Sequence, residues 1–403
     1  MLIKIAWRNI WRSPVRSWII IAALLVGMFA GVFSSTFING WMVQRLRDGV
    51  ETETGHIQIF PDGYQNSREV SLYMKPGQLT GVLEHSAASA TSPRLIVRGM
   101  AASAETARGI VAYGVDPDAE KQVLNLHEKI VEGTWFDSPY SRPIIIGQKL
   151  AEQLELKLKS RVVLRFQDVE GTLTGGSFRV AGIFRTSNTA FDEGHVWVKK
   201  ETLSELLGIS SQNCHSLVIR LNDAEQAMNV AGELQAELPG TEVVPWKELS
   251  PELGYLTELG NTYLYIFVII ILLALGFGII NTMLMVVLER VREIGMLMSV
   301  GMTRWRIFLM IVLETVMLSS TGGLLGIFLG MIAVWRLSIT GIDLSVWSTG
   351  LTEMGFNPIV YPEWDAALVL NIALLVVATG VLASLYPAWK ALKLKPSEAV
   401  RAI

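Results

Sequence analysis

The chain has 403 residues, of which 51% are hydrophobic and 18% are charged, and its formal net charge is −3. Ordinary soluble domains carry about 25% charged residues, so this composition favours a membrane protein. The net charge is too small to favour an acidic partner, and no nucleic acid is predicted as a partner. Cys214 is the only cysteine, which excludes a disulfide within one chain.

Residues 1–17 predict a basic amphipathic segment in the cytoplasm. Its basic residues are Lys4, Arg8, Arg12 and Arg16, and it contains no acidic residue. Cytoplasmic flanks of spanning helices are enriched in lysine and arginine. A secretory signal peptide is the competing interpretation, but the apolar run that follows is too long and lacks a small-x-small cleavage site.

Four apolar runs are long enough to cross a hydrocarbon core of about 30 Å as transmembrane helices. They are residues 18–43, 262–288, 307–334 and 366–388. The tail 389–403 is basic, whereas the loop 335–365 is mostly acidic. The positive-inside rule therefore places both termini and the connection 289–306 in the cytoplasm, and residues 44–261 and 335–365 outside it.

Residues 44–261 alternate between short strand-like and helical patterns, which predicts a large α+β domain. The stretch "RPIIIGQKLAEQLELKLKSRVVLRF" predicts a strand, a helix and a strand, and "GTLTGGSFRVAGIFRT" predicts a hairpin that turns at its paired glycines. Helical stalks are expected through "QRLRDGVETE" and residues 253–264. The predicted fold is an α-helical membrane protein with four transmembrane helices and an α+β periplasmic domain inserted between helices 1 and 2.

Motifs for enzymatic chemistry are absent from the sequence. It contains no G-x-x-x-x-G-K-[S/T] phosphate loop, so no ATP site is predicted. No nucleophile elbow or paired carboxylates point to hydrolysis. The histidines lack metal-ligand spacing and are interpreted as structural or surface residues; they are His56, His85, His127, His195 and His215. We therefore expect no enzyme, no bound metal and no cofactor in this chain.

Glu314 is an acidic residue inside the third predicted span. A carboxylate there costs about 2.5 to 3.5 kcal/mol on insertion scales and is usually turned away from lipid. We interpret it as a residue that caps, or pairs with, an arginine such as Arg304 or Arg306. A proton relay is the alternative.

Three glycines of the same span predict a helix-packing face. Gly322, Gly326 and Gly330 recur every four residues and therefore share one side of a helix. Small residues in such a row allow close approach of a neighbouring helix.

The connection "LERVREIGMLMSVGMTRWRI" predicts a short amphipathic helix between the second and third spans. Its apolar face comprises Val291, Ile294, Leu297 and Met298, and its charged face comprises Glu289, Arg290, Arg292 and Glu293. Such a helix could lie in the lipid interface, with its arginines on anionic headgroups. Alternatively, it docks on a cytosolic partner through its mixed charges and methionines.

The stretch "ERVREIGMLMSVGMTRWRIFLMIVLETV", followed by "GGLLGIFLG", resembles the MacB/FtsX-like permease superfamily, the mechanotransmission (type VII) class of ABC transporters. "AWRNIWRSPVRSW" is similar to the family's basic helix before the first span, and "YPAWKALKLKPSEAVRAI" to its closing motif. "GHIQIF", "IGQKLAEQLELKLKSRVVL" and "FRVAGIFRT" are similar to the family's periplasmic core. The likeness is greatest to lipoprotein-releasing permeases of the LolC/LolE type. This chain departs from the family pattern at Lys159 and Ser160, where many members have Gly-Asp.

The resemblance implies an inner-membrane permease without its own ATPase. Such a permease works as a dimer, here expected to be a homodimer, on two copies of a cytosolic ABC ATPase that holds ATP and Mg. The resemblance also favours the docking interpretation, in which a coupling helix passes the nucleotide-driven closure of the ATPase to the outer domain. The implied ATPase-coupling residues are Glu289, Arg290, Arg292, Glu293, Gly295, Met296, Met298, Gly301, Met302 and Arg304.

The resemblance also implies a lipoprotein or lipid-like substrate that enters from the outer leaflet and is passed to a periplasmic carrier or adaptor. Its acyl chains are expected between the first two spans, although ordinary lipid-facing packing explains the same residues equally well. The implied lining residues are Phe29, Phe33, Phe37, Tyr263, Phe267 and Ile271. Two alternatives are a tripartite-efflux permease like the macrolide exporters, and a non-transporting signalling permease like the cell-division proteins.

Overall fold

A computed structural model of the chain describes residues 2–12, 14–79, 82 and 86–393. The chain forms two compact units. We call them the helical unit, which comprises residues 1–43, 258–342 and 360–403, and the mixed unit, which comprises residues 44–257 and 343–359.

The elements are labelled in chain order. The described α-helices are α1 (Leu2–Ile10), α2 (Pro14–Gly49), α3 (Tyr64–Ser67), α4 (Pro117–Val123), α5 (Gln148–Gln153), α6 (Thr189–Gly194), α7 (Lys200–Leu207), α8 (Ala227–Glu237), α9 (Trp246–Leu249), α10 (Pro251–Glu289), α11 (Val291–Ser299), α12 (Arg304–Thr340), α13 (Ser348–Glu353) and α14 (Ala366–Leu392). The described strands are β1 (Ile57–Pro61), β2 (Ala88–Ala102), β3 (Ala107–Val115), β4 (Ile130–Gly133), β5 (Pro143–Gly147), β6 (Arg161–Gln167), β7 (Leu173–Phe184), β8 (His195–Lys199), β9 (Ser216–Leu221), β10 (Thr241–Pro245), β11 (Ile342–Asp343) and β12 (Ile359–Val360).

Four helices, α2, α10, α12 and α14, are long and apolar enough to cross a membrane. The predicted spans lie within these four helices. Helices α2 and α10 have 36 and 39 residues, more than a span of about 20 needs, so each also contains residues of a predicted stalk. The prediction of four apolar helices with a large mixed domain between the first and second is confirmed.

Glycines bring α12 close to α2 in the helical unit. A Cβ atom added at Gly322 would lie 2.8 Å from Cβ of Leu24, and one added at Gly326 would lie 2.6 Å from Cβ of Met28. Gly330 continues the same row against α2. Because atoms at these distances would clash, any larger residue at Gly322 or Gly326 would push the two helices apart.

The mixed unit is built on one large sheet with strand order β10-β1-β9-β2-β3-β8-β5-β7-β4, and β6 pairs with β2 and β7. The pairs β3–β8 and β5–β7 are parallel, and the other pairs are antiparallel. β1 and β10 pair along their full length, from Ile57 opposite Pro245 to Pro61 opposite Thr241. The first and last strands of the inserted segment are therefore neighbours.

The predicted hairpin turn at the paired glycines is wrong. Strand β7 runs through both glycines, and the turn lies earlier, at residues 168–172. There the Oδ1 atom of Asp168 accepts a hydrogen bond from the backbone N–H of Thr172 at 2.9 Å. A side chain at Gly175 would collide with the carbonyl oxygen of Leu164 on β6. Gly175 thus allows β6 and β7 to approach closely within the sheet. Glycines in a strand are suited to such close approach as well as to a turn.

The departure from the family pattern falls on a strained backbone position. Lys159 has a φ of +70°, in the left-handed region that glycine adopts without a steric penalty. Its backbone N–H donates to the carbonyl oxygen of Val180 at 2.9 Å, and the hydroxyl of Ser160 accepts from the backbone N–H of Lys157 at 3.1 Å. These hydrogen bonds stabilise the turn before β6, although Lys159 occupies a position that favours glycine.

Candidate functional site

The connection between α10 and α12 folds as a separate helix, α11. The chain leaves helical geometry at Arg290, whose φ and ψ are −98° and 16°, and α11 then runs over Val291–Ser299. Gly301 adopts a φ of +99° and donates its N–H to the carbonyl oxygen of Met298 at 3.1 Å. A left-handed glycine after the last helical turn is a common helix stop. It lets the chain reverse into α12.

The inner face of α11 packs against the rest of the helical unit. Ile294 is 4% exposed and belongs to a core that also contains Ile10, Met283 and Ile307. Burial of one isoleucine side chain contributes about 1.5 to 3 kcal/mol. The apolar face that the sequence predicts is therefore used within this chain and fixes α11 to α1, α10 and α12.

The outer face of α11 and the following turn form a mixed apolar and basic surface. Val300 is 87% exposed and Trp305 is 66% exposed, next to the exposed side chains of Met296 and Arg304. We call Met296, Val300, Trp305 and Arg304 the coupling surface. Val300 and Trp305 were missed by the sequence analysis, although both lie in the quoted stretch. Val300 ends α11 and Trp305 begins α12, so the two residues belong to different helices and no single helical period places them on one face.

The ten predicted coupling residues divide by exposure. Glu289, Arg292, Met296, Gly301 and Arg304 are exposed, Arg290, Glu293, Met298 and Met302 are partly buried, and Gly295 is buried. The structure thus presents about half of the predicted set outward and directs the rest toward the chain itself.

Two of the inward residues belong to a network that we call the arginine–glutamate cluster, which comprises Arg12, Arg290, Glu293 and Glu314. The Oε2 atom of Glu293 accepts from Nε of Arg290 and from Nη1 of Arg12, each at 3.0 Å. Partial burial raises the pKa of Glu293, but the hydrogen bonds from Arg290 and Arg12 outweigh it and lower that pKa below its usual value. Glu293 is therefore a carboxylate at neutral pH, and it links the segment after α1 to α11.

Glu314 is 4% exposed and is bonded to a different arginine from those that the sequence analysis considered. Nη1 of Arg290 lies 3.4 Å from both of its carboxylate oxygens, and Nδ2 of Asn9 donates to its Oε1 atom at 2.6 Å. The prediction that Glu314 pairs with an arginine is therefore confirmed, but the partner is Arg290 and not Arg304 or Arg306. These residues precede Glu314 on the same helix by ten and eight positions, about 15 and 12 Å along the axis at 1.5 Å per residue.

The six predicted substrate-lining residues are divided between two environments. The rings of Phe29, Phe33 and Phe37 stack in a row along α2, with centroid separations of 6.0 and 6.4 Å. On α10, Tyr263 and Phe267 are 61% and 37% exposed. The position for a Cβ atom at Gly31 lies 3.9 Å from Ile271, so Ile271 packs against α2. Ile271 is thus a helix contact, whereas the five aromatic residues are half-buried or exposed.

An apolar groove of about 360 Å³ lies between α10 and α14, where no site is predicted from the sequence. It is lined by residues that include Leu272, Gly276, Phe277, Leu375 and Thr379. The hydroxyl of Thr379 donates to the carbonyl oxygen of Leu375 on its own helix at 2.8 Å. The lining of this groove is therefore almost wholly apolar.

The histidines are distributed through the mixed unit. His215 uses both ring nitrogens, since Nδ1 accepts from the backbone N–H of Ile96 at 2.8 Å and Nε2 lies 2.9 Å from the carbonyl oxygen of Val70. Burial lowers the pKa of His215 to about 4, so it is neutral at pH 7. His85 lies outside the described residues. In the part of the chain that the structure describes, no group of three or more histidine, cysteine, aspartate or glutamate residues could hold a metal ion.

Four apolar helices of spanning length, with a mixed domain inserted after the first of them and a charged helix between the second and third, are the features of a membrane protein that crosses the bilayer several times. Residues 265–396 match the family model described as FtsX-like permease C-terminal. The chain therefore carries an FtsX-like permease domain and is an ABC transporter permease of the FtsX/LolC/MacB family.

Individual relatives agree with this family. The lipoprotein-releasing system transmembrane protein LolC of Xylella fastidiosa is 25% identical over 310 residues, which are 72% of this chain and 72% of that protein. The uncharacterized ABC transporter permease YknZ of Bacillus subtilis is 30% identical over 265 residues, 64% of this chain and 61% of that protein. The macrolide export ATP-binding/permease protein MacB of Bordetella avium is 31% identical over 232 residues, 55% of this chain and 33% of that protein.

Among solved structures, the periplasmic region of MacB from Actinobacillus actinomycetemcomitans resembles part of this chain. Its TM-score is 0.35 at 13% identity, and the match covers 52% of this chain and 98% of that one. The family assignment rests on the sequence relatives. It makes the chain an inner-membrane protein of a family whose members function with a cytosolic ABC ATPase.

Proposed function

We propose that this chain is a permease subunit that couples ATP hydrolysis by a separate cytosolic ATPase to motion of its outer domain. The coupling surface carries the proposal. Val300 and Trp305 expose large apolar side chains beside the exposed side chains of Met296 and Arg304, and such residues favour a protein partner over solvent. The buried inner face of α11 would pass any push on this surface to α10 and α12.

Two copies of the ATPase, which would supply ATP and Mg, and a second copy of this permease complete the proposed assembly. Closure of the two ATPases on their nucleotides would move the paired coupling surfaces together. The long helices α2 and α10 would then open and close the outer domains, as a rigid-body switch that is biased from a distant site. In this scheme both termini are cytoplasmic and the mixed unit is periplasmic.

The proposed substrate is a lipoprotein or a lipid-like molecule taken from the outer leaflet of the inner membrane and passed to a periplasmic carrier or adaptor. The relatives named as lipoprotein-releasing proteins support this choice. The exposed aromatic side chains of Tyr263 and Phe267 on α10 suit contact with acyl chains. Macrolide export is a second candidate, since a relative with that name is 31% identical over 232 residues. A signalling permease that moves no substrate is the third.

The docking proposal is tested by copurification with the ABC ATPase encoded beside this chain. V300D places a charge at a side chain that is 87% exposed, and V346D does the same at one that is 88% exposed in the mixed unit. We expect V300D to lose the bound ATPase and V346D to retain it. Equal retention by both variants, with both folded, would reject the coupling surface as the docking site.

Mass spectrometry of the purified complex tests the substrate. A retained lipoprotein or phospholipid, lost on addition of ATP and Mg, supports release from the membrane. A retained macrolide and a copurified adaptor would instead support efflux. A complex that hydrolyses ATP with neither substrate class, and that activates a bound extracytoplasmic enzyme, would support signalling.

A further inference from the structure

The mixed unit contains a large polar cleft that no part of the permease mechanism uses. Its volume is about 840 Å³, within the range of about 300 to 1,000 Å³ that is typical of ligand pockets. Residues of β1, β2, β3 and β10 and of the short helix α3 line it. We propose that this cleft binds a small amphipathic anion, in which a carboxylate, sulfonate or phosphate group is attached to an apolar body.

Two arginines supply the positive charge. Arg68 and Arg98 line the cleft with exposed side chains. Within the described ranges, neither forms an ion pair with a carboxylate. Arg68 is held in place at the end of α3, where its backbone N–H donates to the carbonyl oxygen of Tyr64 at 2.8 Å. Guanidinium groups with open donors in a concave site favour an anionic group that accepts two hydrogen bonds at once.

Neutral donors lie beside these arginines. The Nε2 atom of Gln65 is buried and has no hydrogen-bond partner in the described part of the chain, although Gln65 lines the cleft. Tyr64 and Tyr113 line the same cleft, and burial raises the pKa of both phenols, so their hydroxyls keep their protons at neutral pH. Buried donors without partners are costly. This side of the cleft therefore favours a ligand that is rich in acceptors.

The carboxylates of the cleft are largely occupied by the protein. Both oxygens of Glu53 accept from Nδ2 of Asn188 at 3.1 Å, and Oε1 of Glu242 accepts from the backbone N–H of Gly63 at 2.9 Å. Glu248 is exposed on the β10 side. Because Glu53 and Glu242 already accept hydrogen bonds from the protein, whereas Arg68 and Arg98 form no ion pair within the described ranges, the open donors of the two arginines favour an anion.

A flat aromatic surface and aliphatic side chains would hold the apolar body. The rings of Tyr113 and His195 stack with their centroids 5.7 Å apart, and His195 stacks on Phe191 at 4.5 Å. Burial lowers the pKa of His195, so the ring is neutral at pH 7. Val111 and Leu249 extend the apolar lining. An aromatic or acyl body is therefore favoured over a free inorganic anion.

The test compares two water-soluble probes with the same body, 2-naphthalenesulfonate and the uncharged 2-naphthalenemethanol. Equilibrium dialysis uses the full chain in zwitterionic nanodiscs, with empty nanodiscs as the blank. We expect the sulfonate to bind about tenfold more tightly, as charge-assisted hydrogen bonds imply. The double variant R68Q/R98Q should bind both probes equally, whereas R108Q, which removes an exposed arginine of β3 outside the cleft, should behave as the unaltered chain.

Competition identifies the source of the anion. Dihexanoylphosphatidylglycerol represents a lipid, indole-3-acetate represents a soluble aromatic anion, and displacement of the sulfonate by either supports the site. Equal affinity for the two probes, full binding by R68Q/R98Q or displacement by inorganic phosphate at the same concentration would overturn it. Copurification of the ATPase with R68Q/R98Q is expected to be unchanged, so this proposal and the docking proposal fail separately.

Discussion

Arg290 and Glu314 join the end of the second apolar helix to the interior of the third. Nη1 of Arg290 lies 3.4 Å from both carboxylate oxygens of Glu314, whose side chain is 5% exposed. Arg290 also bonds Glu293, the residue of α11 that pairs with Arg12. These contacts tie α11 to the buried carboxylate of Glu314 on α12, which gives a structural reason for an expensive carboxylate at that position.

Removal of Arg290 should destabilise the helical unit strongly. R290M leaves Glu314 buried without a charged partner, and breaking a buried ion pair from one side costs about 3 to 5 kcal/mol. We expect a lower Tm in detergent than for the unaltered chain. R290M/E314L should recover most of the loss, because no uncompensated charge remains. R292M, which changes an exposed arginine of α11, is the control. An R290M Tm equal to that of R292M would show that the pair is not structural.

The row of glycines on α12 should reject larger side chains selectively. G326V places atoms against Cβ of Met28, whereas a Cβ atom at Gly278 on α10 meets nothing within 4 Å. Overpacking of this kind costs about 1 to 3 kcal/mol. We expect G326V to lower the Tm and G278V to leave it nearly unchanged. If G278V were as harmful as G326V, helix propensity and not packing would be the cause.

Lys159 should be improved by glycine. A left-handed backbone costs a residue with a side chain about 1 to 2 kcal/mol, partly offset by the larger chain entropy that glycine loses on folding. K159G is therefore expected to stabilise the mixed unit by about 0.5 to 1 kcal/mol, measured by thermal unfolding. K157G, two residues earlier and outside the left-handed region, should not stabilise it. A destabilised K159G would mean that the lysine side chain makes a more valuable contact.

Stability should fall as the pH rises from about 4 to 7 because of Asp192. Burial raises the pKa of Asp192 from 3.8 to about 7. The hydrogen bonds from Thr186 at 2.7 and 2.9 Å lower this pKa, and the nearby charge of Glu53 raises it further, but burial has the largest effect. The folded state thus binds more protons than the unfolded state in that window, so each step upward in pH favours unfolding. D192N should flatten the decline in Tm between pH 5 and 7, whereas the exposed D62N should not. The same slope in all three proteins would assign the effect to other groups.

The sequence allowed the spanning helices and the amphipathic character of α11 to be predicted, because both are periodic signals within one segment. The partner of Glu314 could not be predicted, since Arg290 is 24 residues away and reaches Glu314 only after the chain reverses at Gly301. The hairpin prediction failed for a related reason. Gly175 signals close approach, and only its pairing with β6 shows that this approach lies within a ladder and not at a turn.

The exposed apolar residues of the coupling surface illustrate the same difference between what a local sequence pattern predicts and what tertiary contacts decide. Ile294, which the helical period places on the apolar face of α11, is buried in the chain's own core. Val300 is exposed at the C-terminal end of α11, and Trp305 is exposed in the first turn of α12. Local pattern thus identifies the segment, whereas tertiary contacts decide which of its side chains are available to a partner.

The pairing of β1 with β10 has a practical consequence for engineering. Neighbouring strands lie about 5 Å apart, so the inserted segment starts and finishes almost at one point of its own sheet. A module whose ends coincide can be excised or transplanted with two nearby cuts, in the way that circular permutation and domain insertion succeed elsewhere. Chimeras that exchange this cassette between permeases would separate what the outer part recognises from how the membrane part is driven.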